Sequence, residues 1–439
     1  MARNKMSVTQ LTLLTSLSMM GAGIVMLPTK FASLGMVSML SWLITATGAA
    51  ALAYVFAQCG MLSKKPGGMG GFAEYAYGIP GSFMTNYCYG LSLLIGNIAI
   101  ALASVNYGLY AFNEAFSPIS AGICTIILLW ITTVLNFPGP VFIGKFTAAV
   151  IWALLLPLLF LILVGPFFFS AELYAANWNP ANARLLDIIP ASVPMTFWAF
   201  LGLESACANA EAVEEPEKNV PKAVLIATLL TAFIYISTTN IIAGIVPNAA
   251  FLDTEAPFGI VYASMFGDAA KPIAATLIWI GCTGSLVTWQ FTMGRVFKST
   301  AELGFFPKIF NKVTSSNATV KGLVILTILQ TIFVPLTLID SAYGQYEKLA
   351  DLAVFITIFA FVFCLGGSYA LSREALITTT RSRWIRVAAI LSFICILLTL
   401  AYFDNFVMKA GAFALIFGSV FYAWIPSWKE KAPKKEEKV

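Results

Sequence analysis

The chain has 439 residues, 59% of them hydrophobic and 11% charged, with a formal net charge of +5 and a mean hydropathy of +0.84. Soluble domains carry about 25% charged residues, so this composition excludes a set of soluble domains and indicates a polytopic membrane protein. Histidine is absent, which removes the usual proton shuttle, the commonest metal ligand and Ser-His or Cys-His catalysis together.

From the N-terminus, Arg3 and Lys5 precede an apolar run in which Gly21-Ala22-Gly23 has the small residues of a signal cleavage site. The run continues to Leu27-Pro28, and the spans that follow need a first inserted helix, so it is read as a retained span. A span needs about 20 predominantly apolar residues. On that basis twelve are predicted, at 9–30, 36–61, 83–112, 118–137, 142–166, 188–212, 221–246, 270–297, 320–339, 350–371, 385–403 and 409–427, followed by a charged cytoplasmic tail at 429–439. The whole chain reads as one all-α integral membrane domain.

The basic residues set the orientation. With the N-terminus in the cytoplasm, twenty-one of the 26 lysines and arginines fall inside. Both termini are therefore expected in the cytoplasm, in a cell (plasma or inner) membrane. The positive net charge reflects this topology, and there is no nucleic-acid motif. Lys145 reads as snorkelling at the start of its span and Arg295 as a positive-inside anchor. The loop acids Glu211, Glu214, Glu215 and Glu217 read as solvated, pairing with basic internal loops being the alternative. The seven cysteines stand singly in apolar segments without a C-x-x-C pair, so buried thiols are expected rather than a metal or disulfide framework. No cofactor and no metal site is implied.

Glu204 is the sharpest signal. It lies within the apolar stretch Trp198-Ala199-Phe200-Leu201-Gly202-Leu203-Glu204-Ser205-Ala206. A carboxylate in the hydrocarbon layer costs about 2.5–3.5 kcal/mol on insertion scales, and it points to a cation site near mid-membrane. Two spans are interrupted at corresponding places, the first by Gly21-Ala22-Gly23 with Pro28 and the sixth by Gly202-Leu203-Glu204-Ser205. An offset of five spans inverts topology, so repeat one (about 9–166) and repeat two (about 188–371) are expected to be inverted repeats, with extra helices at about 385–427. Paired glycine-interrupted spans point to a transporter binding site, although small residues also permit close helix packing.

The same residues carry a family resemblance. Met19-Met20-Gly21-Ala22-Gly23-Ile24 with Leu27-Pro28, the run Trp198 to Asn209 followed by Val213-Glu214-Glu215-Pro216-Glu217-Lys218-Asn219-Val220-Pro221, and Gly67-Gly68-Met69-Gly70-Gly71-Phe72-Ala73-Glu74-Tyr75 resemble the amino acid–polyamine–organocation (APC) superfamily. The stretch around Glu204 is similar to its basic amino acid and polyamine antiporters. The resemblance covers nearly the whole chain and is weaker after about residue 340. It implies a LeuT-like fold, a 5+5 inverted repeat plus two helices with spans 1 and 6 discontinuous. It also implies alternating access and sodium-independent exchange of small cationic substrates, such as putrescine for ornithine. Agmatine/putrescine, cadaverine/lysine and arginine/agmatine exchange remain open, as does a neutral amino acid exchanger on the same fold.

For the site, Glu204 is expected to hold an ammonium group. Trp198, and by resemblance Trp289 and Tyr89, would offer aromatic faces to it, the alternative being core packing. Gly21, Ala22 and Gly23 would let a substrate carboxylate approach backbone N–H groups. Ser205 is a candidate cap for the second half of span 6. The resemblance places Glu74 on the inner substrate path, where a solvated loop charge is the plainer reading. The glycines Gly67 to Gly71 lack a Gly-Lys-Ser/Thr ending and read as a hinge or re-entrant segment. Membrane lipid is the expected surrounding, and a homodimer is one assembly open to such a chain. A membrane-embedded enzyme has no His cluster or paired carboxylates to support it. A cation channel would use Glu204 as a ring in an oligomer.

Overall fold

Backbone groups in hydrocarbon have no water to bind, so an apolar run must satisfy its own N–H and C=O groups within a helix. A computed structural model describes residues 5–112, 117–252, 254, 256–337 and 342–425. Among them there is no strand, only an isolated parallel bridge between Met6 and Val213. The predicted tail lies outside the described residues.

In chain order the helices are α1 Val8–Met20, α2 Ala22–Leu34, α3 Ser41–Leu62, α4 Met69–Ala111, α5 Pro118–Val134, α6 Pro140–Val164, α7 Ala171–Trp178, α8 Leu185–Phe200 and α9 Ser205–Ala208. They continue with α10 Pro216–Ala243, α11 Ala249–Leu252, α12 Pro257–Phe266, α13 Ala270–Glu302, α14 Val320–Phe333, α15 Ala342–Glu374, α16 Thr379–Leu400 and α17 Asn405–Ala423. Among the described residues ten stretches are long and apolar enough to cross a membrane, counting α1 with α2 and α8 with α9 as one each. Ten of the predicted spans fall on them. The other two, 118–137 and 320–339, fall on the shorter apolar helices α5 (17 residues) and α14 (14 residues). A further short apolar helix, α12, lies in a segment expected to be connection.

Local sequence explains the ends. Ser7 and Gln10 cap α1 reciprocally, each side chain accepting the other's backbone N–H. Ser117 caps α5, which opens on Pro118, and Asp404 caps α17 through the Val407 N–H at 2.7 Å. The third span begins earlier than predicted. Its helix starts at Met69 and kinks at Gly78, whose φ of 62° only glycine adopts freely. The glycine run therefore leads into a short helical approach to the span, begun by Gly67 (φ 94°) and Gly68 (φ 57°).

The centre of the bundle is α4, buried on nearly all sides, while α16 and α17 at the rim are mostly outward-facing. α4 packs along α15 and α13, α13 along α6, α10 on α3, α1 on α10 and α6, and α8 on α3 and α15. α5 packs on α4 and α14, and α14 on α13. The cysteines are all free and mostly buried, Cys124 being half-buried.

Candidate substrate site

Two breaks face each other at the core. α1 stops at Met20 and the chain turns at Gly21 (φ −50°, ψ −123°) before α2 begins. In an unbroken helix the last carbonyls of α1 would accept from residues one turn on. Here side chains from other helices take them. Trp289 Nε1 donates to the Ser18 carbonyl at 2.9 Å, and the Tyr235 hydroxyl donates to the Met19 carbonyl at 2.6 Å. α8 stops at Phe200 because Leu201 is extended (ψ 136°) and Gly202 has a φ of 120°. A tight turn then leads through Glu204 into the four-residue α9.

Glu204 has no solvent exposure. Its Oε2 accepts the Gly202 N–H at 2.9 Å, and its Oε1 accepts the Tyr89 hydroxyl at 3.2 Å. Among the described residues no lysine or arginine forms a salt bridge with it. A buried carboxylate normally has a cationic partner, because desolvation is otherwise uncompensated.

Glu204, Tyr89, Trp198 and Trp289 line one narrow cavity of about 20 Å³, closed in by Ser92, Leu93, Gly96, Asn97 and Ile100 of α4, Leu201, and Ala353 and Thr357 of α15. That volume suits a group the size of water, so the helices must part before a larger molecule can enter. Trp198 is fixed by its Nε1 donating to the Tyr346 hydroxyl at 2.9 Å. Sequence reasoning missed Asn97, which is buried and whose Oδ1 has no protein partner. Asn97 is one of three asparagines in α4, with Asn86 and Asn106, so its residue type gives no distinguishing signal, and only the fold turns it into the cavity.

The remaining candidates lie outside that lining. Gly21 and Gly23 serve close packing in this conformation. A Cβ on Gly21 would meet Ser285 Oγ at 2.0 Å, and one on Gly23 would meet the Ala199 Cα at 2.7 Å. Ala22 opens α2, and its side chain lies outside the described atoms. Ser205, expected as a cap, is instead the first residue of α9. The capping position is Glu204, and the Ser205 Oγ is buried without a partner. Glu74 sits on the approach helix before Gly78, half-buried, with its Oε1 3.3 Å from Lys65 Nζ.

Below and above the cavity are ionic groups that the sequence did not reveal as partners. Arg295, expected as a positive-inside anchor, is buried and paired. It is 3% exposed, its NH2 atom lies 3.3 Å from Glu211, and its NH1 atom donates to Asn317 at 3.2 Å. Lys298 shares Glu211 at 3.0 Å and reaches Glu302 at 2.7 Å. Glu211 is thus not simply solvated, because the turn after α9 carries it to α13. At the other end Lys30 of α2 pairs with Glu347 of α15, beside Asp351 and Asp404 around a cavity of about 240 Å³. Lys145 is exposed, as a snorkelling residue would be.

With this geometry established, comparison with known proteins is decisive for the family. The profile of the amino acid permease family matches residues 6–427. The chain belongs to the amino acid permease family. It is a multi-pass membrane protein. It is 49% identical over 364 residues to the putrescine transporter PotE of Haemophilus influenzae, covering 83% of this chain and 84% of that protein. The corresponding transporter of Escherichia coli K12 is 44% identical over 423 residues, covering 96% and 95%. The cadaverine/lysine antiporter of the same strain is 32% identical over 353 residues, 79% of each.

Proposed function

We propose that this permease is a secondary antiporter that exchanges a diamine, putrescine, for a basic amino acid, ornithine, by alternating access. The observation that carries the reading is Glu204, a fully buried carboxylate at a helix break, hydrogen-bonded by neutral donors and lacking a cationic protein partner among the described residues. A substrate ammonium supplies the missing charge. The similarity to putrescine transporters over nearly the whole chain supports the same substrate class.

In the proposed site Glu204 holds one ammonium, with Trp198 and Trp289 offering it their indole faces. A desolvated ammonium over an indole contributes about 2 kcal/mol. Asn97 lies eight residues beyond Tyr89 on α4, roughly 12 Å along the axis at 1.5 Å per residue. An amide offers both an acceptor and donors, so Asn97 can face the second ammonium of a diamine or the carboxylate of an amino acid. Gly21, Ala22 and Gly23 are proposed to bind that carboxylate once the cavity opens. Glu74, with Lys65, is proposed to lie on the inner path.

The proposed architecture is twelve spans with a LeuT-like 5+5 repeat and cytoplasmic termini. The helix packing supports it. Moving each element on by five spans maps α1 on α10 to α8 on α3, α4 on α15 to α13 on α6, α4 on α5 to α13 on α14, and α1 on α6 to α8 on α15.

Near neutral pH both amines of the diamine and the side-chain amine of ornithine are protonated, so each exchange moves one net charge. Counterflow in proteoliposomes tests the reading. Vesicles loaded with putrescine should take up labelled ornithine and putrescine. Uptake of cadaverine and lysine instead would change the pair, because one methylene is worth only about 1–3 kcal/mol in a hydrophobic pocket. Exchange only after loading a neutral amino acid would overturn the reading.

A further inference from the structure

The interrupted helices need something to hold them, because each break strands backbone carbonyls in the membrane interior. Tyr235 of α10 has no solvent exposure, and its hydroxyl lies 2.6 Å from the Met19 carbonyl and 3.0 Å from the Ala199 carbonyl. One carbonyl belongs to the last turn of α1 and the other to the last turn of α8. A hydroxyl has one proton, so that proton is shared between the ends of both broken helices in a three-centre bond. In unbroken helices these carbonyls would accept from residues 23 and 203. Gly21 breaks the first register, and the Leu203 N–H turns back to the Phe200 carbonyl instead.

The surroundings make the hydroxyl a fixed point. The Tyr235 ring lies against Trp42, with centroids 5.3 Å apart, and against Phe200 at 5.6 Å. Trp42 Nε1 donates to Thr239 Oγ1 at 3.1 Å, and that hydroxyl donates to the Tyr235 carbonyl at 2.7 Å. The two breaks also touch backbone to backbone. A Cβ on Gly202 would meet the Met19 nitrogen at 2.8 Å, as one on Gly23 would meet Ala199. Neither Met19 nor Ala199 lines the cavity, yet Trp198 and Leu201, on either side of Ala199, do.

We infer that Tyr235 is a positioning residue that clips the α1 and α8 breaks together, so that the two discontinuous helices rearrange as one unit during exchange. The role in exchange rests on the proposed antiporter function. The clip itself does not. Tyr235→Phe keeps the ring against Trp42 and Phe200 and removes only the shared proton.

Hydrogen exchange read by mass spectrometry, on carrier reconstituted in nanodiscs, tests the clip without any substrate. In Tyr235→Phe, peptides covering 17–24 and 199–205 should both lose protection by roughly five- to tenfold, as expected for one hydrogen bond, while peptides of α4 and α13 keep theirs. Turnover per folded carrier in putrescine counterflow should fall more than the half-saturation concentration changes. Unchanged protection at either segment, or unchanged turnover, would overturn the inference. Should the variant not accumulate, the unsubstituted carrier decides. Added putrescine should shift protection of both segments in the same direction, and a shift in only one contradicts the clip. Failure of the unsubstituted carrier to exchange putrescine counts against the function, and hydrogen exchange still decides for Tyr235.

Discussion

The hydroxyl of Tyr89 on α4 donates to Oε1 of Glu204 at the α8–α9 break, at 3.2 Å and inside the protein. With the Gly202 N–H it stands in for water around that carboxylate, and it is the only side-chain donor to it among the described residues. Removing it with Tyr89→Phe takes a hydrogen bond from a buried acid, an effect of about 1.5–3 kcal/mol. The half-saturation concentration for putrescine should rise by about tenfold or more. An unchanged half-saturation concentration in counterflow would show that the Tyr89 hydroxyl does not support the site.

Asn97 is assigned to the far end of the diamine. Asn97→Leu keeps the number and branching of the side-chain heavy atoms and removes the unpartnered Oδ1 together with the Nδ2 donor to Met293. Diamine affinity should drop about tenfold, since a lost hydrogen bond to a charged group is worth roughly 1.5–3 kcal/mol. Binding of a monoamine of the same chain length should change little. Isothermal titration with both ligands measures the difference.

The Arg295–Glu211 pair predicts a contrast in stability. Glu211→Ala leaves Arg295, 3% exposed, with the neutral Asn317 as its remaining partner. That should cost about 1–3 kcal/mol. Lys218→Ala breaks a pair whose side chains are 66% and 70% exposed and should cost under about 0.5 kcal/mol. Thermal unfolding of the two purified variants in the same detergent gives the comparison.

Gly202 has a φ of 120°, and a Cβ there would lie 2.8 Å from the Met19 nitrogen. Gly202→Ala combines backbone strain with a clash and should cost roughly 2–4 kcal/mol. Gly267, with φ 83° and no atom within 4 Å of a Cβ, isolates the strain alone. Gly267→Ala should therefore lower the unfolding midpoint by less.

Much of this was legible in the sequence, for physical reasons. Apolar runs of membrane length and their glycine interruptions are local signals, so the helices and both breaks could be read directly. Trp198 and Glu204 could be grouped because they flank one break, and the structure brings Tyr89 and Trp289 to the same cavity. Asn97, Tyr235 and the Arg295–Glu211 pair could not be read. Their partners lie 84 residues away for Glu211 and Arg295 and 216 for Met19 and Tyr235, and such pairings depend on packing that no local pattern encodes. The segment before Gly78 reads from the sequence as a hinge or re-entrant segment rather than a helix, because Pro66 and the four glycines Gly67, Gly68, Gly70 and Gly71 oppose helix on propensity, which tertiary contacts override.

The most direct test of the central claim is putrescine counterflow by Glu204→Gln in proteoliposomes, normalised to folded carrier measured by size-exclusion chromatography. The substitution keeps shape and removes the charge that the substrate ammonium is proposed to meet. The account predicts that exchange falls to the level of empty vesicles while the amount of folded protein is unchanged. Exchange near the unsubstituted rate would show that the diamine does not depend on Glu204 and would contradict the account.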